Sequence, residues 1–139
     1  MSKNFHETIP TIDFEEKQEE NKSPLLLPNE AKVITIIYIR LNGKEIGISE
    51  CVFFNENPGR WHIRHIEIIK DFRWKKYGYG KKLLEETCKR QWSKNPVTIT
   101  LDPVSQDPNI TKEELVKAYQ SCGFIQTGPG TRMRRYPPQ

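Results

Sequence analysis

The run Val33-Ile34-Thr35-Ile36-Ile37-Tyr38-Ile39-Arg40-Leu41 is dominated by β-branched side chains. Such residues fit a pleated, half-buried surface and lose χ1 freedom in a helix. Asn42-Gly43 follows at once, and these two residues accept the positive φ that a tight turn needs. A second apolar run from Ile46 to Phe54 then returns alongside the first. The chain is thereby committed to an antiparallel hairpin, around which the rest must be organised.

Asn55-Glu56-Asn57-Pro58-Gly59 breaks the second strand, and Trp61-His62-Ile63-Arg64-His65-Ile66-Glu67-Ile68-Ile69 starts a third. Its alternation is imperfect, which one bulged residue would explain. Beyond Gly78, the residues Leu83, Leu84, Thr87 and Cys88 recur at the spacing of a buried helical stripe, so a helix is expected from Gly78 to about Trp92. Val97-Thr98-Ile99-Thr100-Leu101 reads as a short strand closed by Asp102-Pro103. Thr111-Lys112-Glu113-Glu114 is a capping box that opens a second helix, running to about Cys122 and ended by Gly123. Phe124-Ile125-Gln126 and Met133-Arg134-Arg135-Tyr136 read as a closing pair of strands. The order βββ-loop-α-β-α-β-β is that of a mixed α/β sheet.

A chain of 139 residues with 35% hydrophobic side chains fills one core, not two. Residues 1–31 read as a mostly mobile arm, because Glu15-Glu16-Lys17-Gln18-Glu19-Glu20-Asn21-Lys22 has little apolar surface to offset its ordering entropy. One short strand, from Ile9 to Phe14, is expected within it, with Leu25-Leu26-Leu27-Pro28 as an anchor. The ordered domain covers residues 32–136, and 137–139 form a tail. No apolar run approaches the roughly 20 residues needed to cross a bilayer, and the start lacks a signal-peptide core, so the expected compartment is the cytoplasm. Cys51, Cys88 and Cys122 are odd in number and lack metal-ligand spacing, so no zinc site or disulfide framework is indicated.

The segment Lys75-Lys76-Tyr77-Gly78-Tyr79-Gly80 joins the end of the third strand to the first helix. Backbone N–H groups at a helix start point outward at the positive end of its dipole, where phosphates bind. Glycines let a pyrophosphate approach the backbone, and Lys75, Lys76, Lys81 and Lys82 add positive charge. Neither a P-loop nor the Gly-x-Gly-x-x-Gly dinucleotide fingerprint is present. By itself Gly-x-Gly also suits a plain tight turn.

With its neighbours, Lys75-Lys76-Tyr77-Gly78-Tyr79-Gly80-Lys81 resembles the acetyl-CoA loop of the GCN5-related N-acetyltransferases, whose pattern is Arg/Gln-x-x-Gly-x-Gly/Ala. Ala118-Tyr119-Gln120-Ser121-Cys122-Gly123-Phe124 is similar to the Tyr-x-x-x-Gly-Phe that ends the family's last helix. The resemblance runs from about Val33 to Tyr136. It implies an acyl-CoA N-acyltransferase-like α/β fold with a mixed, largely antiparallel central sheet and a splayed strand pair. It also implies acetyl-CoA as cosubstrate, held by Lys75, Lys76, Tyr77, Gly78, Tyr79, Gly80 and Lys81 and by the backbone of Ile68 and Ile69, with no metal. Three features depart from the pattern. Lys75 replaces the usual Arg or Gln, Ile69 is one residue further from Gly78, and the N-terminal part is too short for the two helices that wall the acceptor site.

Acetyl transfer to an amine requires a base, a polarised thioester and a proton for the leaving thiolate. Tyr119 matches the family's tyrosine and is the candidate acid, the alternative being a ring that packs in the core. Glu67, near the strand end, is the leading base, with His65 competing from the same strand face; both are also ordinary on a solvated strand. His62 should face the other way unless the bulge intervenes. Asp102 is a weaker candidate for binding a cationic amine, since Asp-Pro also forms turns.

A net charge of +4 and a pI near 9.0 are compatible with a nucleic-acid partner, such as aminoacyl-tRNA, without favouring one. Arg132-Met133-Arg134-Arg135 reads better as an edge strand protected by charge than as a polyanion contact. The leading expectation is an amine N-acetyltransferase acting as a monomer or homodimer, and the main alternative is a non-catalytic CoA-binding module. The acceptor, a protein or small-molecule amine, is open.

Overall fold

The computed structural model describes residues 10–72, 78–104, 109–126 and 130–138. The expected hairpin is formed by β2 (Glu30–Leu41) and β3 (Lys44–Phe54), which pair from Leu41↔Lys44. Asn42 at φ 51° and Gly43 at φ 83° make its turn, the left-handed conformation those residue types tolerate. β4 (Arg60–Ile68) adds antiparallel to β3, and β5 (Ile99–Leu101) adds parallel to β4. β7 (Met133–Arg135) lies next to β5 and carries β6 (Ile125–Gln126) on its outer side. With β1 (Ile12–Glu20) on the far edge, the described strands form one seven-stranded sheet in the order β1-β2-β3-β4-β5-β7-β6.

β1 corrects the reading of the N-terminal arm. It is a nine-residue strand, begins at Ile12, and runs straight through the acidic stretch, paired with β2 from Ile12↔Leu41 to Glu20↔Val33. What composition alone did not reveal is that the neighbouring strand supplies the hydrogen bonds and the charges find partners. Glu16 meets Lys94 at 2.5 Å and Arg90 at 3.5 Å, Asp13 meets Arg40 at 2.5 Å, and Lys17 lies over the Tyr38 ring. The β1–β2 linker, residues 21–29, contains no helix. The two wall helices anticipated to be reduced are therefore absent between the first two strands.

α1 (Tyr79–Lys94) and α2 (Lys112–Ser121) both pack on one face of the sheet. Leu83, Leu84 and Cys88 of α1 are buried with Ile37, Ile39, Ile63, Ile99 and Leu101, and Val116 and Tyr119 of α2 pack against the same core. Full burial of a leucine stabilises by about 1.5–3 kcal/mol, so Leu83 and Leu84 alone fasten α1 firmly. Thr87 Oγ1, buried in that interface, pairs with Ser49 Oγ at 2.7 Å. The capping box of α2 forms as expected: Glu114 N donates to Thr111 Oγ1 at 3.1 Å and Thr111 N to Glu114 Oε1 at 3.0 Å. The other face carries a separate cluster of Ile34, Ile36, Val52 and Phe54, with no helix in it among the described residues.

Burial pushes the Cys51 and Cys88 thiols up to about 12, which suits unreactive core residues, and Cys122 is buried beside them. No helix among the described residues is long and apolar enough to cross a membrane.

Candidate active site

β4 is paired with β5 only at Trp61↔Ile99, His62↔Thr100 and Ile63↔Leu101. Beyond Ile63, β4 runs on to Ile68 while β5 ends at Leu101, so among the described residues the β4–β5 ladder stops short of Arg64–Ile68. The start of α1 lies close to the same strand end, since the nearest atom to a side chain built on Gly80 is Ile68 Cγ1. The end of β4 and the start of α1 thus lie together.

The bulge anticipated in β4 is at Arg64. Glu50 of β3 pairs with His65 but Cys51 pairs with Ile63, so Arg64 is the extra residue. Its consequence is a change of face. Trp61, Ile63, Ile66 and Ile68 contribute to the core under α1, whereas His62, His65 and Glu67 all lie on the helix-free face. Without the extra residue, His62 and His65 would be on opposite sides. On that face His65 Nε2 and Glu67 Oε1 are 3.0 Å apart, both side chains partly exposed.

Gly78 caps α1 at φ 66°, left-handed backbone that favours glycine, and a Cβ there would meet nothing within 4 Å. A Cβ on Gly80 would come no nearer than 3.8 Å to Ile68 Cγ1. Gly80 is therefore not required by close packing within the described protein. The first turn of α1 has no acidic residue and carries exposed Lys81, whereas α2 opens with Glu113 and Glu114 and a complete capping box. The positive end of α1 is thus left to an anion. The Tyr79 ring, partly buried, packs against the core beside Phe72, the ring centroids 6.2 Å apart. Lys75, Lys76 and Tyr77 lie outside the described residues.

Of the two backbone groups named at the end of β4, Ile69 is ruled out as a ligand donor. Its N–H donates to Ile46 O at 2.8 Å, extending the β3–β4 ladder. Alternation along the strand then turns the N–H of Ile68 to the opposite side, away from β3.

Tyr119, on α2, approaches from the helical face. Its ring lies 6.2 Å from Phe124, and burial, with a smaller contribution from Cys122, pushes its phenol up to about 12. It stays protonated at any physiological pH.

Asp102 is taken by another partner. Arg132 donates to both its carboxylate oxygens, at 3.0 and 3.1 Å, and these bonds hold its carboxyl below the usual range. A carboxylate already engaged by a guanidinium fork is not a free anion for an amine. The basic C-terminal strand also differs from its reading, because β7 is interior, between β5 and β6, and needs no edge protection. Its Arg135 instead pairs with Glu85 and lies over the Trp92 ring.

The sequence reading missed Arg64 and its partners. Its one signal was the slip in alternation between His62 and Ile66, which announced a bulge without saying which residue it would expel.

No protein-family model and no curated protein matches the chain. Solved structures do. The anti-CRISPR protein AcrVA5 matches at 22% identity and TM-score 0.51 over 64% of this chain and 88% of its own. The PaiA N-acetyltransferase from Thermoplasma acidophilum, in complex with coenzyme A, matches at 19% identity and TM-score 0.56, over 74% of this chain and 60% of its own. The ribosomal-protein-S18-alanine N-acetyltransferase from Escherichia coli matches at 17% identity and TM-score 0.56, over 76% of this chain and 70% of its own. The chain therefore has the fold of the GCN5-related N-acetyltransferases.

Proposed function

We propose that this chain is an N-acetyltransferase that moves the acetyl group of acetyl-CoA to an amine by direct attack. The observation that carries the reading is β4 running on past the end of β5, beside a helix start with glycine at its cap and no acidic residue in its first turn. In this reading the N–H groups at the start of α1, with Gly78, Tyr79, Gly80 and Lys81, hold the pyrophosphate. The thioester arm lies along Arg64–Ile68, with the N–H of Ile68 polarising its carbonyl. Lys75, Lys76 and Tyr77 belong to the same proposed loop.

The acceptor approaches from the helix-free face. Glu67, hydrogen-bonded to His65, removes the proton from the amine nitrogen, directly or through His65. As the N–C bond forms and the C–S bond breaks, Tyr119 donates its phenolic proton to the leaving thiolate from the opposite face. A donor that never ionises at neutral pH and two partly exposed acid–base groups across the sheet suit these roles. CoA-bound enzymes among the structurally similar proteins support the cosubstrate. The acceptor is an amine, and the reading requires no metal.

Gly80→Glu tests the reading. The substituted Cβ clears its neighbours, and a carboxylate in the first turn of a helix is favourable, so the free protein should melt no lower than wild type. The same carboxylate repels a pyrophosphate. Wild type should gain thermal stability with CoA and acetyl-CoA, as a ligand specific for the folded state requires, and Gly80→Glu should not. A wild-type melting temperature unmoved by millimolar CoA refutes the proposal. Thiol release over an amine panel then identifies the acceptor.

A further inference from the structure

The face on which His65 and Glu67 lie depends on one inserted residue, and something must hold that insertion in place. A bulge leaves its extra residue outside the ladder and by itself gains nothing from the neighbouring strand. Removing it would slip the strand by one position and carry His65 and Glu67 under α1.

Arg64, the inserted residue, is tied to a distant part of the chain. Its guanidinium donates to Asn21 Oδ1 at 2.8 Å and lies 3.7 Å from Glu30 Oε2 and 3.7 Å from Glu50 Oε1. Asn21 and the Glu30 side chain are each only 7% exposed. They are locked together, Asn21 Nδ2 donating to Glu30 Oε2 at 2.8 Å and to Ala31 O at 2.9 Å, while Glu30 Oε1 accepts from Leu27 N at 3.2 Å. An exposed ion pair contributes little, but here the acceptors are buried and Arg64 supplies the countercharge to a carboxylate withdrawn from water. The anchor comes from the ends of the β1–β2 connection, the short linker that stands where the family has two helices. Glu50, at the other end of the guanidinium, is the direct cross-strand partner of His65.

We infer that Arg64 is a positioning residue: clamped to the Asn21–Glu30 latch, it holds the β4 bulge in register and so keeps the His65–Glu67 pair on the acceptor face. This role rests on the reading of that pair as the base, and takes over from the missing helices the bracing of the acceptor side.

Hydrogen–deuterium exchange followed by peptide on the full chain tests it. In Arg64→Gln the peptides covering residues 64–68 should exchange about tenfold faster, the effect of losing one charge-assisted hydrogen bond, while α1 peptides stay within about twofold of wild type. Asn21→Ala should reproduce the pattern, and Arg64→Lys, which keeps a cation and one donor, should restore part of the protection. In turnover, kcat should fall in Arg64→Gln with the KM for acetyl-CoA unchanged. Unaltered exchange at 64–68, an even rise across sheet and α1, or a silent Asn21→Ala would each overturn the role. Because exchange needs no substrate, it decides the latch even if wild type binds no CoA, the result that would end the acetyltransferase reading instead.

Discussion

Acidification should expose His62 as a stability switch. His62 is half-buried on the helix-free face, its side chain 13% exposed, with Nδ1 2.8 Å from Thr100 Oγ1 and the ring 6.3 Å from Phe54. Two influences oppose each other there. Asp102 Oδ2, 3.8 Å from Nε2, favours an imidazolium, whereas burial and the guanidinium of Arg132 disfavour it. Burial wins, because Asp102 already serves Arg132, and the imidazole is driven down from 6.5 to about 4. The folded state therefore refuses a proton that the unfolded chain accepts. Stability from the neutral ring is complete above about pH 6.5 and is lost as pH falls towards 4. The whole shift corresponds to about 3 kcal/mol, of which about 2.5 kcal/mol is gone by about pH 4.5. Urea unfolding of wild type and His62→Gln between about pH 7.5 and 4.5 isolates the effect, since glutamine can still bond Thr100 and does not titrate. The advantage of wild type over the variant should shrink by about 2.5 kcal/mol over that range. A constant difference would refute the argument from burial, and a growing one would mean that Asp102 stabilises the imidazolium.

Other consequences are as direct. Tyr119→Phe should lower kcat by about 10–100-fold with little change in the KM for acetyl-CoA, and wild-type kcat should show no loss between about pH 8 and 10, because the phenol is pushed up to about 12; an unchanged kcat removes Tyr119 from the chemistry. Leu84→Ala, at a site 1% exposed under α1, should cost about 2–5 kcal/mol by chemical denaturation. The Gln91 amide nitrogen is buried with no nitrogen or oxygen partner among the described residues, only the Cys51 thiol, while its Oε1 accepts from Lys94 Nζ at 3.3 Å, so Gln91→Met should raise stability by less than about 1 kcal/mol. A loss in Gln91→Met would mean that the amide makes a bond not seen here.

Local chemistry made much of this molecule legible in advance. Asn42-Gly43 specified the hairpin turn, Thr111 and Glu114 specified the start of α2, and the stripe from Leu83 to Cys88 specified the face α1 buries. Each of these signals acts within a few residues. The glycines ahead of α1 and the tyrosine of α2 were legible for the same reason, and their resemblance to one family's motifs pointed to the fold that the solved structures share.

Long-range pairing is where the sequence fell silent. The alternation up to Phe14 gave a short strand, but nothing within residues 15–20 reveals its continuation, because its partners, the edge of β2 and the cations Arg90 and Lys94, are remote in the chain. The availability of Asp102 likewise depended on Arg132, thirty residues away, and the interior place of β7 on a neighbour only two residues long. Sequence alone determined the order of the later strands and helices, through propensities and turn chemistry that need no partner. Only the tertiary structure decided which face of β4 carries His65 and Glu67, because one bulged residue, in contact with Asn21 and Glu30 from the β1–β2 connection, sets the register of the rest of the strand.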